Sequence, residues 1–294
     1  MAASAAAPAR IALGVDLGTT EARVAAVDAD SGRSLAAARV TYAYAREQRP
    51  AAGAGAGWAA VETPDDWVDA VAEAMRAVGE TLQSMTPKRN VTVVGVGVAC
   101  TSCTVLPVDA SNAPHAAAPQ WRANKHAWGK MWKHHSDGAA KAASDLVAAI
   151  TASPNPNPAK RAKTTTTTTT SWLDERYGGA LSLEWFHPKI LEVYREDRAV
   201  FEAAHAFVEA GGWIAWKLCG LAGPDAGARS SCQAGYKACF DAATHAFLLT
   251  PDDLARAEPS LANASPAILA KFFPTLAGAK YVAPGTSPVG TLAP

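Results

Sequence analysis

Four groups of residues have types and spacings suited to chemistry. The first is Gly14-Val15-Asp16-Leu17-Gly18-Thr19-Thr20, with Arg23 three residues further on. An apolar run that ends in Asp and turns through Gly-Thr-Thr sets several backbone N–H groups and hydroxyls around one concavity. Such a nest suits phosphate oxygens, and the carboxylate of Asp16 suits a magnesium ion or its waters. Gly18 lets the backbone approach those phosphates with no Cβ in the way. An ordinary hairpin turn is the competing reading. The second group is Thr101-Ser102-Cys103-Thr104, at the carboxyl end of another apolar run. Ligands of open sheets sit beyond strand ends, where the Ser102 hydroxyl can face a polyol, although Ser and Thr are also common turn material there.

The third group runs from Trp121-Arg122-Ala123-Asn124-Lys125-His126-Ala127-Trp128 into Lys130-Met131-Trp132-Lys133-His134-His135. Aromatics interleaved with Arg, Asn and His can line a sugar site, while His134-His135 alone makes a poor metal site. The fourth is Ser231-Cys232-Gln233-Ala234-Gly235-Tyr236-Lys237. A lysine held beside Tyr and Ser can donate to hydroxyls or to a developing phosphate; a solvated surface lysine is the alternative. Cys100 and Cys103 form a C-x-x-C, but no second such pair and no nearby Cys/His pair completes four ligands for zinc. Two small thiols at a strand end account for it.

The elements that must position these groups are legible in part. Ile11 to Val15 reads as a strand, residues 22–28 as a second, and Asp28 to Gly32 as a turn into a third strand over Ser34 to Thr41. Thr63-Pro64-Asp65-Asp66 opens a helix, with Thr63 as N-cap, Pro64 at the first helical position and acids in the first turn. Trp67, Val71, Met75, Val78 and Leu82 keep one helical face. Val91 to Ala99, a nearly continuous β-branched run interrupted by Gly95 and Gly97, reads as a buried strand. The order β-β-β-α-β is the unit of the ribonuclease-H-like and actin-like superfamily, and it differs from the β-α-β of dinucleotide binders. The expected fold class is therefore α/β, a ribonuclease-H-like/actin-like ATPase domain with a mixed β-β-β-α-β sheet.

Composition narrows the function classes. Lys+Arg and Asp+Glu both number 27, so the chain has no general electrostatic claim on nucleic acid or an anionic membrane. No run approaches the roughly 18 apolar residues of a membrane span. Five cysteines, an odd and sparse set, suit a reducing compartment, and the expected location is cytoplasmic. Residues 1–10 read as a flexible tail, with a truncated organelle-targeting peptide as the alternative. Residues 11–285 read as one domain. Within it the tract at about 153–171, with Pro-Asn-Pro-Asn-Pro and seven threonines, reads as a disordered surface insertion.

Taken together, these segments resemble the FGGY family of carbohydrate kinases, and within it the ribulokinases. The matching stretches are GVDLGTT (14–20), TSCTVLPVD (101–109), NKHAWGKMWKHH (124–135), RYGGALSLEWFHPKILEV (176–193), FVEAGGWIAWKLCG (207–220) and SSCQAGYKACF (230–240). The resemblance implies a two-domain kinase that uses ATP and Mg2+ to phosphorylate a hydroxyl of a ketopentose such as L-ribulose. It implies Gly18, Thr19, Thr20 and Arg23 for the ATP phosphates, and Asp16 near the metal. For the sugar it implies Ser102, Arg122 and Lys237. The catalytic aspartate of the family falls beyond Pro294, as does its carboxyl-terminal ATP-binding domain, which a separate chain can supply. A non-catalytic sugar-binding fragment and an interaction module that kept only the fold are the alternatives to a working kinase. Three departures stand out. Glu21 replaces a small residue beside the phosphate turn, Ala99-Cys100 replaces Asp-Phe, and Gln233 replaces Thr.

Overall fold

The computed structural model describes residues 8–43, 60–85, 90–153, 171–285 and 288–292. It divides the chain into two compact units, 1–47 with 62–101 and 48–61 with 102–294. The Thr-rich tract lies outside the described residues, apart from Ser153 and Ser171 at its ends, and so does the Gly/Ala stretch 51–57.

In the first unit β1 (Ala9–Leu17), β2 (Glu21–Asp28) and β3 (Ser34–Thr41) form an antiparallel meander. A two-residue strand that belongs to a separate four-stranded sheet, β4 (Val61–Glu62), precedes α1 (Pro64–Ser84), and β5 (Val91–Cys100) then pairs parallel to β1. The sheet order is β3-β2-β1-β5, so the expected β-β-β-α-β topology is present. The crossover through α1 is what permits β5 to lie parallel to β1. Helix α1 starts at Pro64 with Asp65 and Asp66 in its first turn, although the Thr63 side chain makes no capping bond. It buries Trp67, Val71, Val78 and Leu82, with Ala74 taking the place in the core that Met75 was expected to share.

Two expectations are corrected here. Strand β1 begins at Ala9, whose N–H bonds to the Asn90 carbonyl, so residues 9 and 10, expected in a tail over 1–10, belong to the sheet; residues 1–7 lie outside the described set. Strand β5 is not buried. It is the edge of its sheet, with Val91, Val93 and Val94 among the exposed large apolar residues. A continuous β-branched run signals that both faces want cover, and among the described residues β5 pairs only with β1.

In the second unit β6 (Val105–Val108) pairs antiparallel with both β7 (Gly129–Lys130) and β8 (Ala206–Glu209). Helices α2 (Asp137–Thr151), α3 (Trp172–Tyr177), α4 (Phe186–Glu196), α5 (Arg198–Ala203), α6 (Ala210–Leu218) and α7 (Ser231–Lys237) build the body around it. Leu146 and Ile150 of α2, Ile190 and Leu191 of α4, and Phe201 and Phe207 share one apolar core. Helices α2 and α4 approach closely because residue 138 is glycine: a Cβ there would collide with the Glu196 and Glu192 side chains. No helix among the described residues is long and apolar enough to cross a membrane.

Candidate active site

The residues expected to hold phosphate lie in the first unit. Asp16 is the penultimate residue of β1 and stands directly opposite Arg23 in the β1–β2 register. The turn between them closes through the Gly18 N–H, which donates to the Glu21 carbonyl at 2.9 Å. Buried Tyr42 fixes the turn from below: its N–H donates to the Thr20 carbonyl at 3.0 Å and its hydroxyl to the Gly18 carbonyl at 3.3 Å. Burial, with Glu62 and Asp16 nearby, pushes the Tyr42 phenol far up, so it remains a donor. Arg23 Nη1 sits 3.1 Å from Asp16 Oδ2, and Arg23 Nε 3.2 Å from Glu21 Oε1. Thr20 is exposed and Thr19 half-buried. The face of the sheet beside the turn is an open groove of about 790 Å3, floored by small residues such as Gly14, Ala25 and Gly97 and edged by Asp16, Arg23 and Arg39.

The residues expected to hold sugar lie in the second unit. Lys237 is the last residue of α7, whose Gly235 carbonyl accepts a hydrogen bond from the Tyr177 hydroxyl at 2.8 Å. Its Nζ lies 3.2 Å from Glu184 Oε2, and Glu184 Oε1 lies 2.7 Å from His135 Nε2. Burial pushes the Glu184 carboxyl up, but hydrogen bonds from His135 and Lys237 outweigh it and hold the group below its ordinary value. Glu184 thus ties the His135 block to the Lys237 block, a link across 49 and 53 residues that no motif in the sequence announces. The Ser102 hydroxyl is buried with no hydrogen-bond partner among the described residues. Its neighbour Cys103 presents a carbonyl to Lys189 Nζ at 2.5 Å, and the same ammonium donates to the Met131 carbonyl at 2.7 Å. Burial lowers Lys189 to about 8 and raises Glu209, close by, to about 7.

Arg122 is exposed on its loop, and its guanidinium pairs with none of the described residues. Most of the surrounding block faces inward. Glu192 on α4 accepts from Lys130 at 3.0 Å, His134 at 2.8 Å and Ser136 at 2.6 Å. Burial raises the Glu192 carboxyl, and these three partners, Lys130 foremost, reverse that and hold it well below its ordinary value. His134 and His135 therefore serve different carboxylates, one buried and one at the surface. His126, Glu192 and Glu196 bring three ligand atoms within 4.8 Å of one another. Lys130 Nζ already lies 3.3 Å from His126 Nδ1 and 3.0 Å from Glu192, so an internal cation holds that place and the cluster reads as structural. All five cysteines are free: Cys103 and Cys239 are buried, Cys100 and Cys219 half-buried, and Cys232 exposed.

No protein-family model matches the chain. It is 32% identical over 260 residues to a ribulokinase of Shouchella clausii, covering 86% of this chain and 41% of that protein. It is 31% identical over 232 residues to a ribulokinase of Geobacillus thermodenitrificans, covering 78% and 36%. The chain thus spans about two fifths of the length of the curated relatives it matches. Among solved structures, xylulose kinase from Bifidobacterium adolescentis superposes over 94% of this chain and 47% of its own, with a TM-score of 0.58 at 16% identity. Glycerol kinase from Plasmodium falciparum covers 81% and 39%, with a TM-score of 0.53 at 14% identity. At such identities these two establish the fold, which is that of the actin-like sugar kinases.

Proposed function

Because the chain belongs to the FGGY family of carbohydrate kinases, alongside the ribulokinases, we propose that it carries the ketopentose site and the phosphate turn of an ATP-dependent sugar kinase. The likeness to ribulokinases over most of the chain carries this reading. The geometry of each unit supports it. Lys237, held by Glu184, keeps N–H donors for sugar hydroxyls, and the buried Ser102 hydroxyl has hydrogen bonds still to make.

At the turn, Asp16, Thr19 and Thr20 offer only oxygen donors, a chemistry that fits a hard cation such as Mg2+ with its waters. MgATP would supply the transferable phosphoryl group. In such a reaction the protein acts by positioning and by charge stabilisation. Arg23 and the backbone N–H groups of the turn would take phosphate oxygens, while Ser102 and Lys237 orient the sugar hydroxyl. From the resemblance, the aspartate that accepts the hydroxyl proton in such kinases has no counterpart among the stretches matched here.

Thermal unfolding with a sugar panel tests this reading. A ligand that binds only the folded chain raises its Tm in proportion to the logarithm of its concentration above Kd. L-Ribulose is expected to raise Tm progressively, and an aldopentose at equal concentration is not. Equal shifts from both sugars, or none from either, would remove the ketopentose assignment.

A further inference from the structure

The turn between β1 and β2 is closed by its own side chains. Arg23 bridges two carboxylates, Asp16 at 3.1 Å and Glu21 at 3.2 Å. A Cβ built on Gly18 would stand 2.5 Å from Arg23 Nη2. The space left by the missing side chain is thus taken by a guanidinium, in the concavity where a phosphate is expected to sit. The side chains of Asp16, Arg23 and Glu21 are 47%, 51% and 24% exposed, so these ion pairs can exchange with solvent and with incoming anions.

We propose that Glu21 latches Arg23 over the phosphate turn, so that a nucleotide phosphate must displace this carboxylate before it gains the guanidinium. The inference rests on the reading of the turn as a phosphate site. Asp16 holds the same guanidinium, but a bound cation would occupy its charge, whereas Glu21 pairs with no other cation among the described residues. The Glu21 main chain is part of the turn through its carbonyl, and any substitution keeps that bond. Glu21→Gln therefore removes the charge and preserves the shape.

The test is a titration of the 294-residue chain with MgATP. It is followed by NMR of the Gly18–Thr20 amides and the Arg23 Nε–H group, in wild type, Glu21→Gln, Arg23→Ala and the double variant. An exposed ion pair of this kind corresponds to roughly a two- to fivefold change in an equilibrium. Glu21→Gln is expected to tighten MgATP binding by that factor and to move the Arg23 Nε–H signal before nucleotide is added. In the Arg23→Ala background the same change should give no gain. Equal affinities of wild type and Glu21→Gln would overturn the latch and leave the phosphate reading in place. A gain that survives Arg23→Ala would also overturn it, by assigning the effect to general charge repulsion. If MgATP moves none of the turn amides in any variant, the phosphate reading and the latch both fall.

Discussion

At the scale of single residues, legibility depended on whether a partner is close in sequence. The turn Asp16 to Thr20 announces itself because its hydrogen bonds close within a few positions, as the Gly18 to Glu21 bond shows. Glu184, Lys189 and Glu192 lie in the matching stretch 176–193, but the sequence does not show what they bind, because their partners lie 49 to 86 residues away. A lysine in an apolar helix gives no sign that its ammonium will meet two carbonyls. Lys189 does so beside Ser102, which makes it a positioning residue for that loop. Lys189→Met would leave the Cys103 and Met131 carbonyls without their charged donor, at a cost of about 2–4 kcal/mol by the range for buried charged hydrogen bonds and orphaned acceptors. Urea unfolding of the variant measures this, and a loss below about 1 kcal/mol would show that the carbonyls find other donors.

At the scale of elements, periodicity located α1 and the meander but misplaced β5. Apolar pattern records what a strand can bury, not whether a neighbour is there to bury it. Strand β5 carries ten residues, none charged and none proline, at a sheet edge. Such an edge is an open template for pairing. The 294-residue chain is therefore expected to self-associate as its concentration rises. A charge at an outward position should suppress this, and Val94, 46% exposed, is the place for it. Sedimentation of wild type and Val94→Lys over a concentration series is the check. Identical profiles would show that β5 is not the sticky element. Helix α4 illustrates the reverse case. Its sequence reads as simply amphipathic, yet it buries Lys189 and Glu192 along with its apolar side chains, and together they bind the block around Trp121 to His135 into the core.

At the scale of the whole molecule, buried histidines set the response to acid. Burial, with Lys130 adding to it, lowers His126 to about 3 and His134 to about 4; burial alone lowers His187 to about 3 against the pull of the Phe272 carbonyl. Each keeps its ordinary value near 6.5 when unfolded, so the unfolded chain binds more protons than the folded chain between that pH and about 3–4. Stability from these groups is complete above about pH 6.5 and is lost as pH falls through the folded values. Glu209, raised to about 7, works the other way, since its stability is present below its ordinary value and lost as pH rises through 7. Resistance to urea is expected to fall as pH drops below about 6.5, where the three histidines together outweigh Glu209. His187→Asn, which removes one titrating ring, should flatten the acid limb. An unchanged slope in that variant would mean that His187 does not supply it.

We propose that this chain, which spans about two fifths of the length of the ribulokinases it matches, holds a ketopentose on Lys237. Calorimetric titration of L-ribulose into wild type and Lys237→Ala addresses it directly. A charged donor to a hydroxyl contributes roughly 1.5–3 kcal/mol, so the variant should bind about ten- to a hundredfold more weakly while its unfolding transition stays cooperative. Equal affinities for wild type and Lys237→Ala would show that Lys237 does not hold the sugar.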